Sequence, residues 1–251
     1  MPELSTLAIL MGAAFAGAFV QSAVGFGFAL IAAPIFLTAM QSGSAMQVLV
    51  AIHVVQSAML VPGLWREAPK ELLSPMLVGS LVGFPAGLFV FLALDLDTLK
   101  LTVGVVMLVF TALLIAGERS WLSHLYVVRG PPYPAAAATV GASAGALTSV
   151  LVMPGPPLIL YVAARRLGKL ESRALSLTFF AFCYVMVTLL HAVWTGMSAE
   201  TWAAAGALTP AVIIATLLGN RLAHRLSEAR FRAAVLAISF LSGVWAIWSS
   251  L

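Results

Sequence analysis

The chain has 251 residues, of which 62% are hydrophobic and 9% charged, with a formal net charge of +4. A mean hydropathy of +1.06 leaves too little polar surface to cover a soluble globule. That excludes a soluble enzyme and points to an integral membrane protein; the basic residues sit at the ends of apolar runs, where membrane orientation selects for them, so they do not indicate a nucleic-acid partner.

The first uncharged run, Leu4 to Met40, is too long for one crossing. A continuous helix over it would measure about 55 Å at ~1.5 Å per residue, against a hydrocarbon core of about 30 Å. A break is therefore expected near its middle, where the chain reads Gln21-Ser22-Ala23-Val24-Gly25-Phe26-Gly27-Phe28. Glu3 precedes the run, with no Lys or Arg and no evident small-residue cleavage site, so a removable signal peptide is not expected. Ordinary runs follow at Ala45 to Trp65, Leu72 to Leu94 and Leu101 to Gly117. The second overlong run, Pro134 to Ala164, is interrupted at Thr148-Ser149-Val150-Leu151-Val152-Met153-Pro154-Gly155-Pro156-Pro157. Ala174 to Ala199, Thr201 to Asn220 and Ala233 to Leu251 complete the chain, each near the ~20 residues a spanning helix needs. Cys183, the single cysteine, has no disulfide partner and no metal-ligand neighbours, and reads as a small core residue; no cofactor is expected.

A long broken stretch followed by three ordinary spans thus occurs twice. One transmembrane domain covers 1–251, with repeat one at about 1–117, a linker at about 118–133 and repeat two at about 134–251. Shifting the first half by 128 places Gly17 on Gly145, Ala18 on Ala146, Val24 on Val152, Gly27 on Gly155 and Leu30-Ile31 on Leu158-Ile159. A later shift of 132 pairs Gly87 with Gly219, Leu94 with Leu226 and Lys100 with Arg232. Equivalent loops contrast in charge. None follows the first broken stretch, but Arg165, Arg166, Lys169 and Arg173 follow the second; Arg66 and Lys70 have no counterpart near Glu200; Lys100 faces Arg221, Arg225, Arg230 and Arg232. That contrast fits re-entrant hairpins, which put equivalent loops on opposite sides. Twelve of the 13 Lys and Arg, Arg119 and Arg129 included, then lie on the cytoplasmic side, against nine if each stretch crosses once. The expected fold is an all-α polytopic membrane protein built from two inverted repeats, each a broken or re-entrant helix plus three spanning helices.

The breaks carry the expected chemistry. Glycine permits the φ angles of a tight reversal, and Pro156 and Pro157 suit the first turn of a helix. Each break then starts a new helix inside the membrane, with unsatisfied N–H groups and roughly half a positive charge at its start. Two such starts would hold a small anion without a buried Lys or Arg. Gly25, Gly27, Pro154, Gly155 and Pro156 would supply the backbone, and Gln21, Ser22, Thr148 and Ser149 hydrogen bonds. The plainer reading is that small residues let helices approach closely. His53, on one predicted helix with Gln47 and Gln56, sits mid-span, where it would bind substrate or relay a proton, or simply bond between helices. His191, close to Trp194, reads as interfacial, and Trp65, Trp121, Trp194, Trp202 and Trp248 as aromatic belts.

Two alternatives stand beside a carrier. A passive anion channel would use the same polar backbone. Gly141-Ala142-Ser143-Ala144-Gly145 matches the letters of a serine hydrolase elbow, but in an alanine-rich helical run with no Asp or Glu nearby. No H-E-x-x-H or G-x-x-x-x-G-K-[ST] is present, so transport would draw on an ion gradient, with the proton as candidate, or on the substrate's own gradient.

Gly25-Phe26-Gly27-Phe28-Ala29-Leu30-Ile31-Ala32-Ala33-Pro34 and Gly155-Pro156-Pro157-Leu158-Ile159-Leu160-Tyr161 resemble the two motifs of the sulfite exporter TauE/SafE family of membrane permeases. The resemblance extends over nearly the whole chain. It implies export or uptake of small anions, often sulfite, sulfoacetate or other organosulfonates, across the cytoplasmic membrane of bacteria or archaea. By position, the two break motifs would form the pathway.

Overall fold

Glycine and proline, rather than charge, decide where the long apolar stretches end. The computed structural model describes residues 4–118, 133–222, 237, 240–241 and 243–250, and among them every regular element is helical. The first stretch divides into α1 (Leu4–Val24) and α2 (Phe28–Met40), followed by α3 (Ser44–Leu60), α4 (Lys70–Ala93) and α5 (Leu96–Glu118). The second divides into α6 (Pro134–Leu151) and α7 (Gly155–Arg165), followed by α8 (Lys169–Trp194) and α9 (Ala199–Leu222). Residues 243–248 are helical and pack on α5, where Gly104 faces Ile247 and Gly243. The linker residues Arg119, Trp121 and Arg129, and Arg225, Leu226, Arg230 and Arg232, lie outside the described residues.

Seven of these helices, α1, α3, α4, α5, α6, α8 and α9, are long and apolar enough to cross a membrane. The protein is an all-α polytopic membrane protein. By contrast α2 and α7, with 13 and 11 residues, reach only about 20 and 16 Å at ~1.5 Å per residue. Each break therefore joins a full-length helix to a half-length one.

Without a hydrophobic drive between helices in lipid, close approach depends on small residues. On α4, Gly79, Gly83 and Gly87 form a stripe at four-residue spacing, and a Cβ on any of them would overlap the carbonyl oxygen of Ala138, Ala142 or Ala146 on α6. Gly141 and Gly145 of α6 return the contact against Met76 and Ser80. The numbers rise together along both helices, so α4 and α6 run parallel. On the other side of the bundle α9 packs on α1, with Gly219 against Phe19 and Ser22. Exchanging the two halves maps the α4–α6 pair onto α9–α1 and returns the central α3–α8 pair to itself. Gly87 and Gly219, paired by the shift of 132, occupy these two equivalent contacts.

Helix α8 serves as a ruler for the bundle. At its C-terminal end Thr195 accepts a hydrogen bond from Gln47 at the start of α3 (2.8 Å). Gln41, after α2, accepts one from Lys100 Nζ (3.2 Å), which also bonds Asp97 and the Ser249 carbonyl. Nearby, Asp95 caps α5 by accepting the Thr98 N–H at 3.0 Å; the Thr98 side chain first, and that N–H second, hold its carboxyl below the ordinary range. The N-terminal end of α8 adjoins the basic joint Arg165, Arg166 and Lys169, and Arg173 one turn further in bonds Asn220 near the end of α9.

Candidate functional site

At the first break two glycines take the left-handed conformation, Gly25 at φ +104° and Gly27 at φ +113°. The Gly25 N–H closes α1 on the Gln21 carbonyl (2.7 Å), and the Phe28 N–H donates to Gln21 Oε1 (3.4 Å). Gly27 faces Val20, and Gly17 faces Phe28, so α2 turns back along the last turns of α1.

The second break reverses at a different residue. Gly155, expected to carry the reversal, has ordinary helical φ as the first residue of α7, and a Cβ there would meet only Phe180 at 3.8 Å. The left-handed residue is Val152, at φ 59°. A β-branched residue rarely adopts that conformation, and holding it costs roughly 1–3 kcal/mol. Its N–H bonds the Thr148 carbonyl at 2.9 Å, and Pro154 and Pro156 then fix the φ angles that start α7.

Both new helices start in one narrow cavity of about 20 Å³, little more than a single water molecule needs. From the first break Gln21, Phe26 and Gly27 line it, and from the second Val152, Met153, Pro154, Gly155 and Pro156. Phe110 of α5 and Phe180 and Tyr184 of α8 complete the wall, with Phe26 edge-on to Phe110 at 6.4 Å. Among the described residues no charged side chain lines it, and neither N-cap residue, Gly27 or Pro154, caps its helix with a side chain; the Gln21 amide alone reaches the start of α2.

Five of the ten candidate residues therefore meet: Gln21, Gly27, Pro154, Gly155 and Pro156. The others lie around this centre. The Ser22 hydroxyl donates to the Ala18 carbonyl (2.5 Å) and the Thr148 hydroxyl to the Ala144 carbonyl (2.6 Å), so both are turned into their own helices. Ser149 Oγ is buried without a partner. Gly25 backs onto Arg173 instead of the cavity. His53 is fully buried between the rings of Phe28 (4.1 Å) and Tyr184 (4.3 Å). Its Nδ1–H donates to the Leu49 carbonyl at 2.6 Å, leaving Nε2 without a partner.

One reading is corrected, and one alternative lacks the geometry it needs. His191 is not interfacial: it is wholly buried, its ring tilted against that of Phe91 at 4.8 Å, and its Nε2 bonds the Ser149 carbonyl at 3.1 Å. The carbonyl of a broken helix draws it inward. Ser143 stands within continuous α6, its hydroxyl bonded to the Thr139 and Val140 carbonyls at 3.0 Å, while the flanking glycines pack on α4. No strand-to-helix elbow exists there, because the glycines of that pattern serve helix packing.

The family model described as Sulfite exporter TauE/SafE matches residues 9–246, a span that contains both breaks and the whole cavity. The chain belongs to this family. Comparison with curated proteins and with solved structures gives no match. This TauE/SafE protein is thus a multi-pass membrane permease by family. Its cavity wall combines features the sequence motifs contain with aromatic residues from α5 and α8 that they do not.

Proposed function

We propose that this protein carries a small oxyanion, sulfite or an organosulfonate, through the cavity between the two broken helices, in the cytoplasmic membrane of a prokaryote. The observation that carries the reading is the convergence of two helix starts, those of α2 and α7, on one cavity that no charged side chain lines among the described residues. Each start offers a partial positive charge, and that of α2 adds N–H groups as well, which are worth more in a low-dielectric site than in water. An anion is held without a fixed cation, and so can leave again.

The two halves act as inverted repeats. Support comes from α2 turning back along α1, and from the equivalent helices α3 and α8 running antiparallel, with Gln47 bonded to Thr195 and His53 beside Tyr184. Rocking one hairpin against the other would open the cavity to alternate sides. His53, in contact with both Phe28 and Tyr184, is the proposed proton relay. The test is uptake into proteoliposomes of labelled sulfite, sulfoacetate, thiosulfate and lactate, with and without a proton gradient. Saturable uptake of a sulfur oxyanion, with counterflow and stimulation by the gradient, supports a coupled carrier. Non-saturable flux supports a channel, and no uptake by folded protein removes the proposed cargo.

A further inference from the structure

A helix that starts at a break leaves behind a helix that ends there. The positive starts of α2 and α7 lie beside the negative ends of α1 and α6, each equivalent to roughly half an elementary charge. Left uncovered, those ends would cancel much of the attraction for an anion. In both breaks the first of the last four carbonyls is taken by the backbone: Gln21 by the Gly25 N–H (2.7 Å) and Thr148 by the Val152 N–H (2.9 Å). In both, the next carbonyl is taken by a side chain of α8. Arg173 Nη2 donates to the Ser22 carbonyl at 2.7 Å, and His191 Nε2 to the Ser149 carbonyl at 3.1 Å. A carbonyl only accepts, so His191 carries its proton on Nε2, and its buried Nδ1 has no partner. The two residues are 18 apart on α8, five turns at ~3.6 residues per turn, and so share one face of that helix.

We infer that Arg173 and His191 are positioning residues that cover the negative ends of α1 and α6, so that the positive starts of α2 and α7 set the potential in the cavity. The inference rests on the anion reading above. The two covers differ in kind. Arg173 brings a full charge, shared with the Asn220 side chain (2.8 Å), whereas His191 brings a hydrogen bond and a tilted ring contact with Phe91. Neither residue lines the cavity. Both act through the backbone they hold.

The test compares Arg173→Gln, Arg173→Lys and His191→Phe in proteoliposome uptake of labelled sulfite, with amide hydrogen exchange on the same purified proteins. The inference predicts that Arg173→Gln raises KM about tenfold, the scale of a charge-assisted hydrogen bond, with kcat within about twofold. Arg173→Lys restores most of the loss, and His191→Phe raises KM about fivefold. Unchanged KM in folded Arg173→Gln and His191→Phe overturns the inference, as does an equal loss in Arg173→Gln and Arg173→Lys. Should Arg173→Gln fail to fold, His191→Phe decides alone. If the wild type takes up no sulfite, the anion reading fails separately, and exchange then decides the positioning. Faster exchange confined to residues 20–28 in Arg173→Gln and to residues 147–155 in His191→Phe supports it; unchanged exchange at both refutes it.

Discussion

The two breaks perform the same reversal with opposite chemistry. At the first, the four residues whose N–H groups lack helical partners are Gly27, Phe28, Ala29 and Leu30, and all four carry an N–H. Phe28 spends its own on Gln21, which leaves three. At the second, the corresponding residues are Pro154, Gly155, Pro156 and Pro157, of which only Gly155 has an N–H. The first break offers donors, while the second offers a dipole and a rigid apolar wall. The strain is divided the other way: glycines take the left-handed angles at the first break without cost, and Val152 takes one at the second against its preference. On the proposed reading, a site built this way would bind through one repeat and be shaped by the other.

The comparison breaks most visibly at Gly27. Gly27→Leu forces a side chain into φ +113° with its Cβ 3.0 Å from Val20, which costs about 2 kcal/mol or more of stability and abolishes uptake; melting in detergent and sulfite flux check both. Pro156→Ala sharpens it from the other side by returning an N–H to the start of α7. One added hydrogen bond of about 1 kcal/mol would lower the KM for sulfite roughly fivefold, and an unchanged KM would mean that the second break does not meet the anion. Val152→Gly trades about 1–2 kcal/mol of relieved strain against a similar loss of buried side chain, so its melting stays within about 1 kcal/mol of the wild type. Gly155→Ala melts within about 0.5 kcal/mol of the wild type, because its Cβ meets only Phe180 at ordinary contact distance. Ser143→Ala leaves uptake unchanged, its hydroxyl serving only the α6 backbone.

Much of this arrangement was legible in the chain. An apolar run too long for one crossing has to break, and Gly25, Gly27 and Pro154 to Pro157 marked where. The shift of 128 that pairs Val24 with Val152 matches the end of α1 to the cap of α6, and Gly27 with Gly155 matches the starts of α2 and α7 to within one residue. The reversal at Val152 was not legible, because propensity argues against it and only the surrounding packing holds it there. Arg173 read as one more orienting charge, and His191 as interfacial, because the carbonyls they hold lie 151 and 42 residues away in the chain. Phe110, Phe180 and Tyr184 were not legible as cavity wall, since an aromatic residue in an apolar run gives no sign of the cavity it faces. Gly79 and Gly83 carried a packing stripe that spacing four discloses only once its partner helix is known.

The central claim is that one anion sits between the starts of α2 and α7. Selenite, the heavier analogue of sulfite, gives an anomalous X-ray signal, so crystals of the purified protein soaked in it locate the anion directly. The account predicts a selenium peak within the cavity, between the N–H groups at Gly27 to Leu30 and the Pro154–Pro156 wall. An ordered selenium elsewhere in the membrane-spanning region, with that cavity empty in protein that takes up sulfite, would contradict it.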